Sequence, residues 1–142
     1  MTETTPLARL LQGVRADLTD YVRLQELLES QFEAALRHET VAMQDVAERI
    51  TALAAMLEAR RQDRVALLEQ LLAGQAQPAS IDALLPQLSP QGRATLQAWW
   101  RTLEERVRHC KALNARNCRL LMDQHEIMQR VLQPEADLYA PA

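Results

Sequence analysis

Apolar residues recur at steps of three and four along nearly the whole chain. In the first third, Leu7, Leu11, Val14, Leu18, Tyr21, Leu28, Phe32 and Ala35 keep a heptad, with Gln25 as its break. That pattern predicts a helix from Pro6 to about Arg37, capped by Thr5 and opened by a proline in its first turn. Leu10, Leu24, Leu27 and Leu36 widen the stripe, so this helix is expected to touch more than one neighbour.

A second helix is predicted from Thr40 to Ala73, stopped by Gly74. Met43, Val46, Ile50, Leu53 and Leu57 carry its stripe. The pattern fails across Glu58–Arg64, the run EARRQDR, and resumes at Val65, Leu68 and Leu72. The charged run is expected to be solvated, at a place where the partner helix has diverged. The short link at His38–Thr40 makes the first two helices an antiparallel hairpin. No glycine or proline marks that link, so one continuous bent helix stays open. Residues 74–89 are loop-like, with Ser80 capping a short turn over Ile81–Leu85 that Pro86 ends. Ser89 and Pro90 then open the last helix as N-cap and first residue. It is expected to run to about Leu132, a length of roughly 60 Å.

Two asparagines interrupt the stripe of that last helix. Leu96, Trp99, Leu103, Val107, Cys110, Leu121, Met128 and Leu132 share one face, and Asn114 and Asn117 stand where leucines are expected. A buried amide is costly unless it is hydrogen-bonded. The pair therefore either fixes register inside a bundle or grips the backbone of a partner. A second ridge, Leu113, Leu120 and Ile127, repeats every seven residues, with Val131 close to it. It is either the wide apolar face of a helix touching two others, or one wall of a groove for a partner's amphipathic helix. Met122 and Met128 nearby would let such a surface repack.

The composition agrees with helices and excludes sheets. There are three glycines and five aromatic residues in 142. The expected fold is all-α, with three long helices, an antiparallel hairpin plus a long C-terminal helix, in an elongated, coiled-coil-like bundle. The helical domain is residues 1–133, followed by a flexible C-terminal tail over 134–142. Net charge is −3, which predicts no nucleic-acid partner. Residues 1–36 hold three arginines against six acids, and residues 96–133 seven basic residues against four acids. Complementary rims on adjacent helices explain this, with a basic docking face as the alternative. No signal segment or membrane span is visible, so no direct membrane insertion is expected. Cys110 and Cys118 lie about 12 Å apart along one helix, beyond disulfide reach. Reduced thiols without an export signal read as cytoplasmic.

Known catalytic motifs are missing: no HExxH, no Glu-x-x-His, no Gly-rich phosphate loop and no nucleophile elbow. His109, Cys110, Cys118 and His125 lack the tight spacings of structural zinc, so neither metal nor cofactor is expected, and no enzyme activity. Trp99–Trp100 is expected to close one end of the core, one ring inside and one at the rim.

Leu113-Asn114-x-x-Asn117, then Leu120-Leu121, Val131-Leu132, Pro134 and Leu138-Tyr139, resembles the C-terminal signature of FlgN-type flagellar export chaperones. The order of the leucine-rich hairpin, irregular link, Trp-bearing last helix and tyrosine tail is similar too. The resemblance implies a cytoplasmic chaperone of flagellar type III secretion that holds hook–filament junction subunits and delivers them to the export gate. It places client binding on the C-terminal region, with Leu113, Asn114, Asn117, Leu120, Leu121, Ile127, Met128 and Val131 as candidate residues. It assigns docking on the gate's cytoplasmic domain to Tyr139, although Ala-Pro-Ala follows here where family members often carry glycines. A homodimer is left open. The competing readings are a structural coiled-coil subunit that only oligomerises, and a small-ligand or metal-binding bundle.

Overall fold

A computed structural model of the chain describes residues 5–75 and 78–132. Helix α1 spans Pro6–Leu36, α2 Thr40–Leu71, α3 Ile81–Leu84 and α4 Pro90–Leu132, with a 3-10 turn over Leu85–Gln87 between the last two. Among the described residues there is no strand. The predicted caps form. The Thr5 hydroxyl accepts from the Ala8 amide, Ser80 from Ala83 and Ser89 from Gly92, each at 3.1 Å. Each satisfies one amide that a helix start would otherwise leave unbonded.

The hairpin link is a true break, made by a residue that gives no sequence warning. His38 adopts φ 56. Its amide bonds back to Ala35 O at 3.2 Å, and the Glu39 amide to Ala34 O at 3.0 Å. This pair of bonds ends a helix with a left-handed residue just past its cap, a place glycine usually takes. The α2 helix stops at Leu71, two residues earlier than expected, and the following turn places Gly74 at φ 87, which glycine adopts without steric cost.

The direction of α4 follows from its bonds to α1. Cys110 Sγ donates to Tyr21 O at 3.5 Å, Asn117 Nδ2 to Leu28 O at 2.7 Å, and Gln124 Nε2 to Ala35 O at 2.8 Å, and all three pairs are 89 residues apart. A constant offset means that the two helices run parallel. The donors and the accepting carbonyls both advance by seven residues, the repeat of two helices wound around each other. Just below them, Arg106 Nη1 donates to Leu18 O at 2.6 Å. Thus α1 is the central helix, with α2 antiparallel along one side and α4 parallel along the other. The backbones of α2 and α4 do not pack closely on each other.

The core is thick at one end and thin at the other. Leu10, Val14, Leu67, Leu68, Leu72, Leu96 and Leu103 pack together, and α3 closes that end with Ile81 and Leu84. Trp99 and Trp100 both lie half-buried against this cluster, rather than one inside and one at the rim. Toward the hairpin link only Leu28, Cys110 and Leu113 form a second, smaller cluster.

Candidate functional site

The charged run of α2 is not simply solvated. Glu58, Arg61, Gln62 and Asp63 are exposed, but Arg60 and Arg64 turn inward, one helical turn apart. They meet Asp17 of α1, a residue only 1% exposed. Arg60 Nη1 lies 2.7 Å from Asp17 Oδ1 and 2.9 Å from Asp20 Oδ2, and Arg64 Nη1 2.6 Å from Asp17 Oδ2. Burial alone would lower the Arg60 pKa, but its bonds to Asp17 and Asp20 outweigh this and raise it. On the outer face, the hydrogen bond from Arg61 holds the Glu58 carboxyl down at about 2. The sequence held a signal for the cluster. Asp17 follows Val14 by three residues on the inward edge of α1, and two arginines four apart lie at the matching height of an antiparallel partner.

This arrangement also narrows the expected pairing of charged rims between α1 and α4. Asp17 and Asp20 of α1 serve α2, not α4. Between α1 and α4 the ion pair is Arg116–Glu29 at 3.3 Å, and the Arg116 guanidinium also lies 3.8 Å from the centre of the Phe32 ring.

The two asparagines separate. Asn117 is 2% exposed and fully engaged: beyond Leu28 O, its Nδ2 donates to Gln31 Oε1 at 2.8 Å, and its Oδ1 accepts from Arg116. Asn114 is exposed, not buried in the stripe. It lies about 60° round the helix from Asn117, on the side toward α2. Of the other candidates, Leu113 is buried, Leu120 and Leu121 are half-buried, and Ile127, Met128 and Val131 are exposed. Leu113 belongs to the core, so the ridge it forms with Leu120 and Ile127 runs from interior to surface. Tyr139 lies outside the described residues.

The exposed part of α4 is an overhang. α1 ends at Leu36, one residue past the carbonyl that Gln124 reaches. Residues 125–132 continue as helix for roughly 12 Å beyond it. Ile127, Met128, Val131 and Leu132 are 57–73% exposed there, and Met122 just before them 63%. So many large apolar side chains on one short stretch of surface make it the candidate site of association.

A second feature lies where α2 and α4 diverge over α1. Tyr21, Leu24 and Leu28 form the floor of a groove, Ile50 and Ala54 one wall, and Val107, Cys110, Lys111 and Asn114 the other, with a volume near 260 Å³. Two further hollows share Tyr21 with it and extend it toward Arg64 and Trp100, and toward Leu57 and Arg61. Burial raises the pKa of the Tyr21 phenol, with Asp17 adding to the effect, and burial likewise pushes the Cys110 thiol up. The Arg64 guanidinium stacks 5.2 Å from the Trp100 ring and closes one end. Leu120 points about 180° away from Lys111, so the Leu113–Leu120–Ile127 ridge and the groove occupy opposite flanks of α4.

Among the described residues, no three of His, Cys, Asp or Glu gather as a metal site. No helix there is long and apolar enough to cross a membrane. No curated protein and no solved structure matches the chain. The family described as FlgN protein matches over residues 1–134, which takes in all four helices. The chain therefore belongs to the FlgN family of flagellar export chaperones, which bind flagellar subunits.

Proposed function

We propose that this protein is a cytoplasmic chaperone that holds hook–filament junction subunits before export and delivers them to the cytoplasmic domain of the type III export gate. The observation that carries the reading is the overhang. A helix end with five large apolar side chains more than half exposed is stable in water only as a compromise. Covering it with an amphipathic segment of a client gains roughly 25 cal/mol per Å² of apolar surface removed from water. Such binding needs no nucleotide and is reversed by competition at the gate. Ile127, Met128 and Val131 make the contact, with Leu120 and Leu121 at its margin. Leu113 and Asn117 hold α4 on α1 so that the end is presented as helix. Asn114 is free to meet the client. Tyr139 anchors the complex on the gate.

The test is Ile127→Asp in the full chain, measured by calorimetric titration with purified junction subunits. Binding should fall while the melting temperature stays that of wild type, because Ile127 is 59% exposed. Unchanged client affinity would overturn the reading. The competing reading, a coiled-coil subunit without a client, uses the same surface for self-association. It predicts instead that Ile127→Asp lowers the mass measured by light scattering and that no junction subunit binds wild type.

A further inference from the structure

The groove between α2 and α4 lies before the overhang along α4, and the chaperone reading above does not require it. We propose that it seats an amphipathic helix of the export client, apolar stripe down on Tyr21 and Leu24 and carboxylates turned toward α4. This rests on the chaperone reading and adds a second, charge-selective seat to it.

Size is the first argument. On α4 the groove runs from Trp100 to Asn114, and on α2 from Ile50 to Arg64, fourteen helical steps on each side. Both walls are therefore about 21 Å long, room for roughly four helical turns of a partner. The lip on α2 includes exposed Ala54, whose small side chain lets another backbone approach closely.

Charge is the second. On the α2 side the cations are already matched: Arg61 pairs with Glu58 at 2.7 Å, and Arg64 with Asp17. On the α4 side, Arg108 and Lys111 make no ion pair among the described residues, against one unpaired acid, Glu104, nearer Trp100. The unbalanced charge of the groove is thus positive and confined to one wall. An apolar stripe flanked by carboxylates on that side is complementary, whereas one flanked by Lys or Arg meets like charge.

Continuity is the third. The α4 face that carries Lys111 and Asn114 runs on through Cys118, Leu121, His125, Met128 and Leu132 at steps of three and four. A client helix leaving the groove passes directly onto the exposed end of α4. Groove and overhang then form one track, in the helix-in-groove manner of recognition.

The experiment titrates full-length hook–filament junction subunits into the full chain, as wild type, Ala54→Trp, the pair Arg108→Glu with Lys111→Glu, and Ile127→Asp. Ala54 is exposed, so a tryptophan there fills the groove without entering the core. It should weaken client binding about tenfold or more, the loss of one good anchor site. The charge-reversed pair should weaken binding ~fivefold at low salt, with the difference closing at high salt. Wild-type affinity in a folded Ala54→Trp, or equal affinity in the charge-reversed pair, overturns the proposal. Should Ala54→Trp fail to fold, the charge-reversed pair decides alone. If Ala54→Trp changes only the self-association seen by light scattering, the occupant is a second copy and the client seat is refuted. If Ile127→Asp weakens binding and the groove variants do not, the chaperone reading stands and this inference falls. If wild type binds no junction subunit, both fall.

Discussion

Replacing Asp17 by Leu should be among the most damaging single changes in this protein. Asp17 is 1% exposed and receives guanidinium groups from Arg60 at 2.7 Å and Arg64 at 2.6 Å. Removing one partner of a buried ion pair typically costs 3–5 kcal/mol, because the remaining charge is left dry and unmatched. Two features reduce that figure here. The arginine side chains keep 20% and 14% exposure, and Arg60 retains Asp20 at 2.9 Å. The expected loss is therefore about 2–4 kcal/mol, a large share of the 5–15 kcal/mol by which a domain is usually stable. In melting temperature that is on the order of 10 °C. Urea is the denaturant to use, since guanidinium salts screen the charges at issue. The decisive comparison is with Asp17→Leu, Arg60→Met and Arg64→Leu combined, where the one charge that loses its partner is Asp20, whose side chain is 21% exposed and can turn to water. That triple variant should recover to within about 1 kcal/mol of wild type, because an apolar replacement of similar volume makes good the lost attraction. A single variant within about 1 kcal/mol of wild type would refute the reasoning, showing that the arginines swing to solvent at no cost. So would a triple variant as unstable as the single one.

The asparagines should differ sharply. Asn117→Leu removes three side-chain partners, but Leu28 O lies inside α1 and Gln31 and Arg116 can turn to water, so urea unfolding should move by no more than about 1 kcal/mol. Asn114→Leu should leave unfolding unchanged and alter client affinity in titration, because its side chain is exposed beside the groove. Tyr139→Ala should leave folding and client binding intact and weaken gate docking by about 1–3 kcal/mol, with gate titration as the measurement. Thiol labelling of the native protein should be fast at exposed Cys118 and slow at Cys110, which is buried and whose thiol pKa burial raises; in urea both should react at one rate.

The helices were legible because burying one face of a helix forces an apolar period, and that period is written in the residues themselves. Thr5, Ser80, Ser89 and Pro90 were legible for a similar local reason: each meets a need of the helix start beside it. What was hidden depended on distance. Arg60 and Arg64 read as solvated because nothing near them in sequence is acidic and inward; their carboxylate lies 43 and 47 residues away. His38 was placed in the link, but its left-handed backbone was hidden because that conformation is usually announced by glycine. Asn114 was drawn onto the buried stripe because one straight line was run through 37 residues. A heptad line drifts about 20° per repeat on a helix, which suffices to turn a side chain from core to rim. The overhang was legible only in part. Sequence marks Ile127, Met128 and Val131 as apolar, but their exposure follows from α1 ending at Leu36, which no local pattern around residue 127 can report.

The 89-residue offset between α1 and α4 has a consequence for how such a chain can change in length. The offset itself is arbitrary. Residues added to the stretch after Gly74 would turn 89 into a larger number and leave Cys110, Asn117 and Gln124 on the same three carbonyls. Insertions between Gly74 and Ser80, ahead of the buried Ile81 and Leu84, should leave this pairing intact. Within α4 between Cys110 and Gln124 a single added residue rotates every later donor by about 100°, off its carbonyl and out of the interface. Only blocks of seven, gained by α1, α2 and α4 together, preserve the match and keep Arg60 and Arg64 level with Asp17. The tolerated length changes in this architecture are therefore of two kinds, insertions ahead of α3 in the link and multiples of seven in the paired helices.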